Sequence, residues 1–444
     1  MGRRRSTIIA LIGVAVVAGG CGTKPSDATS PGDPIVVRLY GSDANMTNSL
    51  KDKLKDSPGL LSGMTGTAPL QRVPETFKER LRGVDPTLAD YGYAAEAYDA
   101  VLIAGLAAES ARTSDPTTVA RFMVGATNSG TVCDSAAACL PLARAGKDFA
   151  YRGQSMRRSG FTDNGEPSSA SYGTLHFDRT NVINDNLTEY VGAGDESLAS
   201  TAAAPPFPPP LSSSNPARKK PPALKVGGLM PHTGRLAYRS APRFAGARLA
   251  VQDLNAAGGV LDQPVEWVDG DDGTDATVAA ATVDRFVGLG VQVIIGASSS
   301  SVTKAVIPKI AAAGRILVSP SSTSDELSTV ADNGLFFRTA PPDTLQARAL
   351  ADVIMRGGAR RVTIVAREDA YGLGLQKNVK ADLVTAGMAE TAVELISYPT
   401  TAEDFGGIAA RVRDNNPDGV LILGYDETAQ IVKALADRNV VGSA

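Results

Sequence analysis

LKVGGLMPHTGRLAY, residues Leu224 to Tyr238, reads as a short apolar strand, a Gly/Pro/Thr turn and the start of a helix. The helix is predicted over Phe244 to Asn255. There Ala247, Leu249, Ala250, Val251 and Leu254 recur at spacings near three and four, and Gly258-Gly259 closes it. From this βα unit onward, strand and helix patterns alternate in single file: PVEWVDGDD, TVAAATVDRFV, VQVIIG, SVTKAVIPKIAAAG, RILVSP. Such alternation predicts an α/β fold in which a parallel sheet is covered by helices on both faces.

Working outward, the chain has 444 residues, of which 43% are hydrophobic, enough for a sizeable core and two or three folding units. A formal net charge of -3 gives no long-range field that would point to nucleic acid. Two histidines are too few for a histidine-built metal site.

Arg3, Arg4 and Arg5 precede an apolar run, Ile8 to Val17, that is too short to span a bilayer, so residues 1–21 read as a signal segment. Ala18-Gly19-Gly20-Cys21 resembles a bacterial lipoprotein cleavage box, which implies acylation of Cys21 and a lipid anchor; an ordinary secretory signal is the alternative. Residues 22–34 are polar and carry prolines, as a tether does. In an exported chain the close pair Cys133 and Cys139 suggests a local disulfide, closing a loop with no core of its own; a free pair is the alternative.

Residues 35–194 begin with the strand IVVRLY (Ile35 to Tyr40), followed by a short helix and a second strand. PETFKERLRG and YGYAAEAYDAVLIAGLAAESA then read as two helices, the second apolar nearly all round and therefore buried. Residues 131–194 read as loops and short strands. Prolines crowd residues 205–222, which excludes helix and strand and makes 195–223 a linker, partly stiff. Residues 224–444 alternate strand and helix and stop after a helix, where a further strand is expected.

KVGGLMPHTG, VIIGASSSSVTKAVIP, ILVSPSSTSDELS, FFRTAPPD, AYGLGL and EDFGGIAARVRDNNPDGVLILGY resemble, in order, the leucine/isoleucine/valine-type solute-binding proteins of bacterial ABC importers. IVVRLYGSDANM, YAAEAYDAVLIAGLAAES and YVGAG resemble the remainder of that family's domain, which ought to come after Gly442 but here comes first. The resemblance implies a circularly permuted domain: its C-terminal part is 35–194, its N-terminal and middle part 224–444, and the linker joins the family's own ends. It implies two α/β lobes that close by a hinge around a cleft, a branched-chain amino acid or similar small amino acid or amide as ligand, and an ABC permease as partner. It implies no cofactor and no nucleic acid. A sensor or surface module of the same fold is the alternative to transport.

The resemblance also assigns site residues. Ser298 to Ser301 follow a strand and open a helix, where hydroxyls and free N–H groups suit a carboxylate, with Ser300 in the leading position. Ser322 and Thr323 occupy positions that add a backbone carbonyl and a hydroxyl. Asp43 matches the acidic partner of the ligand's α-amino group, Tyr371 and Tyr425 match aromatic cleft positions, and Tyr238 faces the side-chain pocket. Alone, these residues equally suit caps, turns and core tyrosines. Arg235 and Arg239-Ser240-Ala241-Pro242 depart from the small residues usual in the family. No catalytic constellation, P-loop or dinucleotide fingerprint is present, so no enzyme is expected.

Overall fold

The computed structural model describes residues 37–209 and 220–442; Cys21, the tether, Ile35, the middle of the linker and Ala444 lie outside the described residues. Before the linker come β1 (Arg38–Gly41), β2 (Thr65–Pro69), β3 (Thr131–Cys133), β4 (Phe149–Tyr151), β5 (Ser169–His176) and β6 (Glu189–Gly194). After it come β7 (Lys225–Leu229), β8 (Glu266–Gly270), β9 (Val293–Gly296), β10 (Ile316–Ser319), β11 (Phe336–Arg338), β12 (Val362–Arg367), β13 (Val393–Tyr398) and β14 (Gly419–Leu423).

The strands form two lobes. One sheet runs β11-β10-β9-β7-β8, parallel throughout. A second runs β13-β12-β14-β1-β2-β5-β6, parallel as far as β2 and antiparallel beyond it, and β3 and β4 form a separate parallel pair. Strands β9, β10, β12 and β14 are buried along their whole length, as strands covered on both faces must be, which is why they read as unbroken apolar runs.

β1 is the strand that decides how the two halves of the sequence relate. It pairs in parallel with β14, Leu39 opposite Val420 and Tyr40 opposite Leu421, across the whole length of the chain. It starts later than the pattern IVVRLY suggests, at Arg38. The helix Thr428–Asp437 covers this junction, its Ile431, Val432 and Leu435 sharing a core with Leu39, Leu50 and Leu54.

The lobe built on β7 is likewise composite. The helix Ala94–Ala111, from before the linker, is buried at every residue and packs against Ser240–Ala256, from after it. Two of its three acids are hydrogen-bonded. Asp99 accepts from the Tyr151 hydroxyl and the backbone N–H groups of Gln154 and Ser155, and Glu109 accepts from Leu261 N at 2.6 Å. Glycine makes the close approach possible: a Cβ on Gly246 would lie 2.1 Å from the Ala94 carbonyl oxygen, and one on Gly105 would lie 2.7 Å from Leu254 Cδ1.

Two helices were not apparent in the pattern. Pro116–Met123 is capped by Asp115, whose carboxylate accepts from Thr118 N, and Ala136–Arg144 is capped by Ser135. The second corrects the expectation that the cysteine loop has no core. Cys133 and Cys139 are bonded, with Cα atoms 5.4 Å apart, and Cys139, Leu140 and Ala143 join the main core. Within residues 195–223 a 3-10 turn spans Glu196–Leu198, residues 199–209 and 220–223 carry no helix or strand, and Phe207 packs on Phe122 at 6.1 Å between ring centroids.

Gly246→Ala is expected to destabilise the protein by about 1–3 kcal/mol through overpacking of the two helices. An unchanged denaturation midpoint would contradict the backbone-to-backbone packing. Replacing both Cys133 and Cys139 by Ala should cost roughly 2 kcal/mol on the chain-entropy model for so short a ring, measured as urea midpoints of oxidised wild type and variant. No loss would contradict a stabilising bridge.

Candidate functional site

The two sheets point the carboxyl ends of β9, β10, β14 and β1 at one another across the space between the lobes, where ligands sit in open α/β sheets. A small cavity lies there, about 20 Å³, room for roughly one water. One wall is the turn after β9, with Ser298, Ser299 and Ser300 at the start of the helix Ser300–Ala312; the other carries Asp43, Tyr371 and Tyr425. With so little free volume the lobes lie against each other. The Ser301 hydroxyl accepts from Ala370 N of the opposite lobe at 3.1 Å, and the Tyr238 hydroxyl donates to the Ala44 carbonyl at 2.7 Å.

Asp43 sits just past the end of β1 and is the hub of the far wall. Its Oδ1 accepts from the Tyr371 hydroxyl at 2.7 Å and Gln346 Nε2 at 2.9 Å, and its Oδ2 accepts from the Tyr93 hydroxyl at 2.6 Å. Since Tyr371 donates its only hydroxyl proton to Asp43, the contact of 2.7 Å to Ser42 is one in which Ser42 donates. Burial pushes the Tyr371 and Tyr93 hydroxyls well above the ordinary tyrosine range, and the Asp43 charge adds to it. Both therefore stay protonated donors. Tyr425 stacks on Tyr371 at 5.7 Å and is backed by Arg367, whose guanidinium lies 3.6 Å from the Tyr425 ring centroid and donates to Glu427 Oε1 at 2.6 Å.

Four of the residues singled out in the sequence, Ser300, Tyr371, Tyr425 and Asp43, line this one cavity. Three do not. Ser322 spends its hydroxyl on Thr303 and the Ala297 carbonyl, tying the β9 and β10 turns together. Thr323 is buried behind the lining with its Oγ1 unpartnered among the described residues, and its carbonyl accepts from Asp343 N. Tyr238 is held to Ala44, and the lining positions near it go to Leu236, Arg239 and Arg243. Arg239 was visible only as part of a departure from the family's small residues and Arg243 was not singled out at all, and nothing in the pattern showed that they turn inward.

Beside this cavity, and sharing Arg239 with it, lies a larger one of about 340 Å³ lined by residues such as Leu70, Tyr91, Asp90 and Tyr190. Among the described residues no cluster of three or more His, Cys, Asp or Glu is placed to hold a metal, and no helix is long and apolar enough to cross a membrane.

Against known proteins, the family model described as "Periplasmic binding protein" matches residues 223–444, half of the chain. The chain belongs to the periplasmic binding protein family. Curated relatives include a Leu/Ile/Val-binding protein of Escherichia coli K12, 31% identical over 212 residues, covering 47% of this chain and 57% of the relative. Another is the Leu/Ile/Val-binding protein BraC3 of Rhizobium johnstonii, 29% identical over 205 residues, covering 46% and 54%. The chain thus spans about half the length of the curated relatives it matches. A solved branched-chain amino acid transporter substrate-binding protein of Streptococcus pneumoniae, LivJ in complex with isoleucine, is similar at 23% identity, covering 49% of this chain and 62% of that one, with a TM-score of 0.43. The family is one of binding proteins rather than enzymes.

In this binding protein the chain crosses between lobes at residues 70–74, 152–168 and 339–342, and the linker makes a further passage. Glu96 stands where the crossings meet. It lines a cavity of about 10 Å³ with Pro69, Pro167, Thr339 and Pro341, and its carbonyl accepts from Thr339 Oγ1 at 2.8 Å. Burial pushes its carboxyl up to about 8 from an ordinary 4.5, with the Asp99 charge adding to the rise. The folded chain thus keeps a proton that the unfolded chain releases, so this contribution to stability is complete below pH about 4.5 and is lost as pH rises to about 8. Glu96→Gln should flatten the fall in melting temperature between pH 5 and 8, an effect of up to about 4 kcal/mol at the alkaline end. Parallel pH profiles for wild type and variant would contradict this.

Proposed function

We propose that this chain is an extracytoplasmic solute-binding protein that captures a small amino-acid-like ligand by closure of two lobes and delivers it to an ABC permease. The observation that carries the reading is the pairing of two unlike walls across one narrow cavity. Ser298 to Ser300 present hydroxyls and helix N–H groups suited to a carboxylate, and Asp43 presents a carboxylate suited to an ammonium. A cavity with room for about one water cannot hold an amino acid as it stands, so admitting one requires the lobes to swing apart about their crossings.

The same reading covers the order of the segments. We take residues 35–194 as the C-terminal part of the family's domain placed first and 224–444 as its N-terminal and middle part. In support, β1 pairs with β14, and Ala94–Ala111 packs with Ser240–Ala256. The signal segment and Cys21, by their resemblance to a lipoprotein box, complete the proposal with a membrane anchor.

The test is a thermal-shift screen of the protein against amino acids, amides and urea, since a ligand that binds only the folded state raises the melting temperature by mass action. A shift with at least one amino acid is expected, and no shift with any would overturn the reading. Asp43→Asn keeps the shape of the hub and removes its charge, so it should weaken that ligand's binding by ~2–5 kcal/mol, as loss of one partner of a buried charge pair does. Unaltered affinity would show that Asp43 does not meet the ammonium.

A further inference from the structure

The cavity holds a group that the ligand's two backbone charges do not use. Arg243, on the helix Ser240–Ala256, is 2% exposed and lines the cavity with Ser298 to Ser300. Its Nε and Nη1 have no hydrogen-bond partner among the described residues. One face of the guanidinium lies 5.2 Å from the Tyr93 ring centroid, leaving the N–H edge to be satisfied by something else. Asp272, whose charge reaches Arg243, is bonded elsewhere, its carboxylate accepting from Ser298 N at 2.9 Å and Thr274 N at 2.7 Å, and Glu96, which also feels Arg243, is kept protonated at neutral pH by burial. Arg239, also buried, stands beside Arg243 in the lining and donates to the Asp43 backbone carbonyl, with its Nε unpartnered.

An arginine cannot shed its charge, and a buried guanidinium without a partner is costly. Its planar array of donors matches a carboxylate with two parallel hydrogen bonds. Opposite it, the Asp43 hub is already shaped for an ammonium, and the serine turn suits a first carboxylate. We propose that the ligand is an acidic amino acid or a close dicarboxylate analogue, whose second carboxylate docks on Arg243 with Arg239 alongside. This rests on the reading of the cavity as an amino-acid site and names the ligand's class. It also gives the departure from small residues at Arg239 and beyond a chemical purpose: a pocket for an apolar side chain has no use for two buried cations.

The experiment is calorimetric titration of the unmutated protein with L-glutamate, L-aspartate, L-glutamine, L-asparagine and L-leucine at fixed pH and salt, repeated with Arg243→Met. One of the acids is expected to bind at least tenfold more tightly than its own amide and than leucine, and Arg243→Met should erase that preference, lowering the acid's affinity at least tenfold more than the amide's. Leucine or an amide bound as tightly as the acids would overturn the acidic ligand and leave the amino-acid site standing. Heat from none of the five would overturn the acidic ligand, and the wider thermal-shift screen then decides whether the amino-acid site stands. If Arg243→Met does not fold, the acid-to-amide ratio on the unmutated protein decides alone.

Discussion

The parallel pairing of Arg38–Gly41 with Gly419–Leu423 is the constraint on which the rest of the structure depends. In a parallel sheet a strand delivers the residues past its carboxyl end to one fixed edge, and past β1 those residues are Ser42 and Asp43. A slip of one residue would turn Leu39 out of its core and carry the Asp43 carboxylate away from Tyr93, Tyr371 and Gln346. The register of one short strand therefore sets both a lobe's core and the polar hub of the cavity. The second composite contact, Ala94–Ala111 on Ser240–Ala256, does the same for one face of the other lobe, whose core there is built from both halves of the sequence.

The cavity is more polar than an amino-acid side-chain pocket for apolar ligands requires. Its charges are organised in two ways. The Asp43 carboxylate accepts only from neutral side chains, Tyr93, Tyr371 and Gln346, and among the described residues no cation hydrogen-bonds to it. Arg243 is surrounded by groups already bonded elsewhere, so its charge remains available to an anion. Arg367 is the contrast: it is equally buried, but Asp369 and Glu427 answer it directly, and its role is to hold Tyr425 in the wall.

Much of this was legible in sequence. The buried strands after Leu224 are continuous apolar runs bounded by turns, and the helix at Ala94 is apolar on every face because it is buried on every face. The family resemblance located Ser300, Tyr371, Tyr425 and Asp43, although Asp43 stands at the far end of the chain from the rest. The hidden part depends on side-chain direction. Ser322 turns back to bond Thr303, and Tyr238 reaches across to Ala44 while Arg239 and Arg243, on the next helical turns, point inward. The helix Ala136–Arg144 was obscured by its short length and its internal Pro141, and only its docking on the core holds it.

The most direct measurement of the central claim is a crystal structure of the protein with the compound that stabilises it most. The account predicts one ligand between the lobes of a single chain, its ammonium against Asp43 and its carboxylate against Ser298 to Ser300. A ligand in the neighbouring 340 Å³ cavity, or β1 paired with β14 of a second molecule, would contradict it.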